Sequence, residues 1–144
     1  MRLWRISNFA DLSGRGGMVS AGRWNVKNTP VVYCADHPAT ALLEILAHVD
    51  SEDLPPTYQL LEIEVPDTIA VTVPDLPSNW RDDLNTTRQL GTNFVLAGID
   101  AVMEIPCVIV PFTNNYLLNP ALLEREEIGI VGTTVHPIDA RLLQ

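Results

Sequence analysis

Basic residues are scarce in this chain. Nine Lys and Arg stand against eighteen Asp and Glu, for a net charge of −9. A general nucleic-acid binder needs a basic face to displace counterions, so direct nucleic-acid binding is not expected. Docking on an anionic membrane surface is not expected either. No apolar run approaches the ~18–20 residues of a membrane span. The N-terminal stretch MRLWRISNF has no apolar signal-peptide core, so a cytoplasmic protein is expected. Cysteine is just as sparse. Cys34 and Cys107 lie inside apolar runs without metal-ligand spacing, and three scattered His do not complete a site. Buried, reduced thiols and no metal are the expectation. What remains is 144 residues, 47% apolar and 19% charged. That composition fits one globular domain over 1–144.

The charge is unevenly spread. Residues 1–34 carry Arg2, Arg5, Arg15, Arg23 and Lys27 against Asp11, a balance of +4. Residues 35–144 carry four bases against seventeen acids, a balance of −13. Eight of the nine bases are Arg, whose planar fork suits phosphates and carboxylates. A local anion site on an acidic protein follows, unless the Arg content only reflects genomic base composition.

The patterning predicts short strands at 3–6, 31–35, 58–65, 100–105, 107–111 and 128–135. Residues 7–22, rich in Gly and Ser, read as a loop. GRGG at 14–17 lacks the strand-then-helix setting of a phosphate-binding fingerprint. Residues 38–49 (PATALLEILAHV) read as a helix with Asp36 as N-cap and Leu42, Leu43, Ile45, Leu46 and Val49 as its apolar stripe. A second helix is predicted over 79–97 from the spacing of Trp80, Leu84, Thr87, Leu90, Phe94 and Ala97, with Gly98 as its stop. Residues 112–120 read as a polar loop and turn. Short strands with two real helices imply a compact α+β domain.

Three constellations could carry chemistry. Arg23 ends the loop, Tyr33 lies on the next strand and Glu44 on the next helix, so the three can converge. A carboxylate in a run of Leu, Ile and Ala is unusual, because burying it unpaired costs several kcal/mol. A structural ion pair with Arg23, or exposure beside His48, is the plain alternative. Cys107 with His37 or His48 would make a thiol hydrolase, but a thiol in a core strand is usually inert. Thr113, Asn114, Asn115 and Asn119 can bind ribose hydroxyls or a carboxamide, and can equally serve ordinary turns.

The segments LWRISNFADLSGRGG, GRWN (22–25), VVYCADHPATALLEIL (31–46) and IPCVIVPFTNNYLLNP (105–120) resemble, in this order, the RES-domain toxins of bacterial type II (RES–Xre) toxin–antitoxin systems. The resemblance implies an ADP-ribosyltransferase-like fold, a split mixed sheet with flanking helices around a cleft for NAD. It implies cleavage of the nicotinamide–ribose bond, by hydrolysis, by phosphorolysis or by transfer of ADP-ribose to a protein acceptor. NAD is then a substrate, and no metal takes part. The partner implied is an antitoxin with a helix-turn-helix (Xre-like) domain, with a homodimer within the complex as a further option. The family's Arg, Tyr and Glu fall on Arg23, Tyr33 and Glu44. Arg5, Trp24, Thr113 and Asn115 are the further residues expected to touch NAD. Two departures stand out: Cys107 and Phe112 occupy positions where many members carry Ser. A non-catalytic NAD-binding module on the same fold is the competing reading.

Overall fold

The computed structural model describes residues 1–143. Seven strands form one mixed sheet: β1 (Arg2–Ile6), β2 (Val32–Ala35), β3 (Thr57–Glu64), β4 (Val71–Thr72), β5 (Val102–Pro106), β6 (Asn114–Leu118) and β7 (Gly129–Pro137). Their order is β4-β5-β6-β2-β1-β3-β7. Only β4 and β5 pair in parallel. Three helices complete the chain: α1 (Arg15–Val19), α2 (Pro38–His48) and α3 (Leu84–Ala97). The α+β class and the split sheet expected from the sequence are both found.

The split lies between β1 and β2. These neighbours share a single paired position, Trp4 with Ala35. By contrast β1 pairs with β3 at five positions and β2 with β6 at four. Where the ladder fails, the Arg5 guanidinium takes over, with Nη1 donating to the Tyr33 carbonyl oxygen at 2.9 Å. A backbone acceptor on β2 is thus satisfied by a charged side chain, and the space beside it stays open.

Alternation along the strands places Val32, Cys34, Val102, Tyr116 and Leu118 in one apolar cluster with Leu3 and Ile63. The opposite face gathers Trp24, Val31, Met103, Ile105 and Leu117 against Phe94 of α3. Both cysteines are free and buried, as expected.

Several local expectations are corrected. The loop over 7–22 contains α1. The N-cap of α2 is His37, whose Nδ1 accepts from the Ala39 N–H at 3.1 Å. Asp36 instead accepts from the Asn114 N–H. The stripe of α2 is only half-buried, while Thr40 and Ala41 are its buried residues. The second helix begins at Leu84, because Asp83 caps it by accepting from the Thr86 N–H at 3.1 Å. Residues 80–82 before it form a 3-10 turn. Gly98 ends α3 at φ 61°, as predicted.

The largest difference is the β5–β6 hairpin. CVIVP is not a strand; it is the connecting loop, closed by the Cys107 N–H donating to the Thr113 oxygen at 3.3 Å. The expected loop NNYLL is β6, paired on both sides. Two Asn make a poor strand by propensity, but central placement in a sheet overrides propensity.

Candidate active site

The sheet's split opens into a cleft of about 670 Å³. Its lining includes Arg5, the 20–25 segment, Tyr33, Glu44 and Asn115. Arg23, Tyr33 and Glu44, far apart in the chain, therefore share one cavity. The volume lies in the ordinary range for small-molecule sites.

Asn25 organises the wall that carries Arg23. It is 1% exposed. Its Oδ1 accepts from the Tyr33 hydroxyl at 2.5 Å and from the Gly22 N–H at 3.0 Å. Its Nδ2 donates to the Ser20 and Val26 carbonyl oxygens. The Tyr33 hydroxyl also accepts from the Trp24 N–H at 3.0 Å. Burial pushes the Tyr33 phenol up to about 12. Tyr33 thus remains a neutral hydroxyl tying β2 to the GRWN turn, and only its ring is left to face a ligand. Sequence reading noted GRWN as a motif but did not single out Asn25. The sequence signal is slight: an Asn three residues after Gly22, and only the structure shows that Gly22 has no room for a side chain. A Cβ on Gly22 would stand 2.6 Å from the Tyr33 hydroxyl oxygen.

Helix α3 straps the same turn from outside. Thr87 Oγ1 donates to the Arg23 oxygen at 2.7 Å, Arg88 Nε donates to the Gly22 oxygen at 2.8 Å, and Thr92 Oγ1 accepts from the Val26 N–H. Gly91 lies against Trp24, leaving no space for a Cβ. This is why the buried face of α3 is Thr87, Gly91, Thr92 and Phe94 instead of a plain apolar stripe. Arg88, too, escaped sequence reading, because only the fold brings α3 to the turn.

Glu44 stands on α2 among Ala41, Ala47 and His48, all of which line the cleft. Its Oε1 accepts from Asn115 Nδ2 at 2.8 Å and lies 3.5 Å from Cys107 Sγ. Its Oε2 is 3.9 Å from His48 Nδ1. The side chain is 27% exposed, so the carboxylate is reachable. The structural ion pair with Arg23 is not formed: Arg23 Nη1 donates instead to the Arg81 oxygen at 3.0 Å.

The remaining candidates divide. Arg5 and Asn115 line the cleft. Trp24 also lines the cleft, but the residue is only 2% exposed and its ring packs 6.0 Å from Trp80. Thr113 is not in the cleft. Its hydroxyl donates to Asp36 Oδ1 and contacts Thr40 Oγ1, beside a separate depression on the far side of α2's start. Phe112 is wholly exposed at the loop tip with φ 64°. A thiol–imidazole pair is not assembled: Cys107 faces Glu44, His37 caps α2, and His48 Nδ1 bonds the Glu44 carbonyl. The +4 of the first 34 residues is only partly at the cleft. Arg2 is paired with Glu62 and Glu64, and Arg15 lies near Asp11. Among the described residues no group of three or more His, Cys, Asp or Glu could hold a metal, and no helix is long and apolar enough to cross a membrane.

Fold and cleft together define an α+β domain in which two Arg residues and a half-buried carboxylate line one cavity. The RES domain profile matches residues 2–136, and the chain belongs to the RES-domain family. It is 46% identical to a Toxin Res of Pseudomonas putida, over 83% of this chain and 85% of that one. It is 36% identical to a protein of Sphingobium named Prs ADP-ribosylating toxin, over 82% and 81% of the two chains. In fold it is similar to a chain in the M. tuberculosis MbcT–MbcA toxin–antitoxin complex, with a TM-score of 0.71 at 18% identity, covering 99% of this chain and 86% of that one.

Proposed function

We propose that this chain is the toxin of a bacterial toxin–antitoxin pair and that it breaks the nicotinamide–ribose bond of NAD. One observation carries the reading: Glu44, one oxygen held by Asn115, shares a cleft with Arg5 and Arg23. A dinucleotide brings both the anionic phosphates that guanidinium groups bind and a glycosidic bond whose cleavage develops positive charge.

In this reading Arg23 and Arg5 hold the pyrophosphate. The Tyr33 ring shapes the nicotinamide pocket. Glu44 stabilises the oxocarbenium-like ribose, or orients the attacking water or acceptor. In hydrolysis, water oxygen bonds to the anomeric carbon as the C–N bond breaks. Nicotinamide leaves with the electron pair as a neutral molecule, so no strong general acid is needed. The proton of water passes to Glu44 or to solvent. A fixed carboxylate of this kind contributes roughly 3–4 kcal/mol to the transition state.

Purified protein incubated with labelled NAD tests the proposal. NAD loss by wild type, abolished in Glu44→Gln with an unchanged circular dichroism spectrum, supports it. Near wild-type turnover by Glu44→Gln removes Glu44 from the chemistry. Binding without turnover supports the non-catalytic module. In cell extract, label on one protein band identifies a transferase, and free ADP-ribose a hydrolase.

The partner we propose is a DNA-binding, helix-turn-helix antitoxin, and the compartment is the cytoplasm, where such a partner acts. Relatives named as toxins and a structural neighbour drawn from a toxin–antitoxin complex support an antitoxin partner. So does the acidic balance of residues 35–144, which favours a basic partner.

A further inference from the structure

We propose that Asn115 aims Glu44 and at the same time reads a hydrogen-bond donor on the substrate, a ribose hydroxyl beside the scissile bond. The inference rests on the NAD-cleaving reading above.

Asn115 sits on an inner strand, its backbone paired opposite Ala35 of β2 and Ile105 of β5. The side chain therefore has a fixed origin. Its Nδ2 donates to Glu44 Oε1 at 2.8 Å. A carboxylate only accepts, so the amide cannot be reversed: the NH₂ must face Glu44 and Oδ1 must face elsewhere. Cys107 Sγ approaches the same oxygen, Oε1. Oε2 is thus the oxygen left for chemistry.

The second observation is independent. Among the described residues only two buried side-chain polar atoms have no partner: Asn115 Oδ1 and Arg5 Nε. Both residues line this one cleft. Buried polar groups are nearly always paired, so two exceptions on residues lining one cavity are places where a ligand or an ordered water would supply the partner. Their chemistry is complementary. Arg5 Nε carries a hydrogen and takes an acceptor, which the phosphates of a dinucleotide supply. Asn115 Oδ1 takes a donor. Because Asn115 also touches Glu44, that donor must lie close to the group the carboxylate acts on. On a dinucleotide the ribose hydroxyls next to the glycosidic bond meet that condition.

The experiment compares wild type, Asn115→Ala and Asn115→Asp with NAD and with an NAD analogue lacking the 2′- or the 3′-hydroxyl of the nicotinamide ribose. Asn115→Ala is expected to lower kcat at least about 30-fold, as loss of a preorganised group does. In the inactive Glu44→Gln background, adding Asn115→Ala is expected to weaken NAD binding about tenfold, because a substrate hydroxyl loses its acceptor. Removing the hydroxyl that Asn115 reads should weaken binding to Glu44→Gln about tenfold, as adding Asn115→Ala does, and should weaken binding to the Glu44→Gln, Asn115→Ala double variant no further. Asn115→Asp keeps the shape and the acceptor but faces Glu44 without a donor, so kcat falls while NAD binding in the Glu44→Gln background stays within about threefold. Thermal unfolding of each variant separates these effects from misfolding. Equal kcat for wild type and Asn115→Ala overturns the aiming role. Equal loss from both deoxy analogues in wild type and variant overturns the reading of a hydroxyl. If wild type consumes NAD and the Asn115 variants match it, this inference fails alone. If wild type consumes no NAD, the functional proposal fails and takes this inference with it.

Discussion

Replacing Asn25 with Ala should cost this protein a large share of its stability without touching an apolar side chain. Asn25 makes four hydrogen bonds from a position 1% exposed. After truncation the Ser20 oxygen can turn to water, since Ser20 is exposed. The Gly22 N–H keeps the Asn25 carbonyl at 3.1 Å. The Val26 oxygen can also turn to water, since Val26 is 45% exposed, but the Tyr33 O–H loses its partner inside the protein. That loss costs about 1–3 kcal/mol. Domains hold only about 5–15 kcal/mol in all. With ~2.1 cal/mol/K of unfolding entropy per residue over 144 residues, the melting temperature should fall by roughly 3–10 °C.

Asn25→Asp sharpens the test. The isosteric carboxylate would turn an acceptor toward the Ser20 and Val26 carbonyl oxygens, and burial would raise its pKa above the unfolded ~3.9. The native state then binds more protons than the unfolded state, so stability falls as pH rises above about 4. At pH 7 the Asp variant should be less stable than the Ala variant, and the gap should close toward pH 4. Scanning calorimetry or urea titration across pH measures both effects. A fall of less than about 3 °C for Asn25→Ala, or an Asp variant indifferent to pH, would show that the Asn25 side chain does not hold the GRWN turn.

Gly91→Ala should destabilise by ~3 kcal/mol or more, because its Cβ would stand 1.8 Å from the Trp24 carbonyl oxygen and α3 would have to move. Gly16→Ala, in α1 with nothing within 4 Å of the added carbon, should instead gain up to ~1 kcal/mol in the same urea titration. The phenol of Tyr33 and the thiol of Cys34 are both pushed up to about 12 by burial. Their folded pKa values exceed the unfolded ones, so their contribution is complete below about pH 9 and is lost as pH rises toward 12. Tyr33→Phe should therefore show a shallower loss of stability above pH 10 than wild type. Iodoacetamide at pH 8 should leave native Cys34 unlabelled and label it after unfolding. Association with the antitoxin should slow markedly between low and physiological salt if the acidic exterior steers it, and a salt-independent on-rate refutes that role.

The sequence by itself determined the class of fold and most of its elements. Short apolar runs with aromatic or β-branched residues marked β1, β2, β3 and β7, and Pro38 and Gly98 marked a helix start and a helix stop, because these are local steric effects. It also determined that Arg23, Tyr33 and Glu44 lie on consecutive elements and so can meet. Tertiary structure alone decided the rest. NNYLL became an inner strand and CVIVP a loop, because strand pairing on both sides outweighs local propensity. Thr113 left the cleft because Asp36 and Thr40 hold its hydroxyl. Trp24, though at the cleft wall, is buried in the core because α3, sixty residues later in the chain, packs there. The hydroxyl of Tyr33 became a structural tie because Asn25 and the Trp24 N–H converge on it. Except for the Tyr33 tie, whose partners lie eight and nine residues away, each of these depends on a partner distant in sequence that no window along the chain contains.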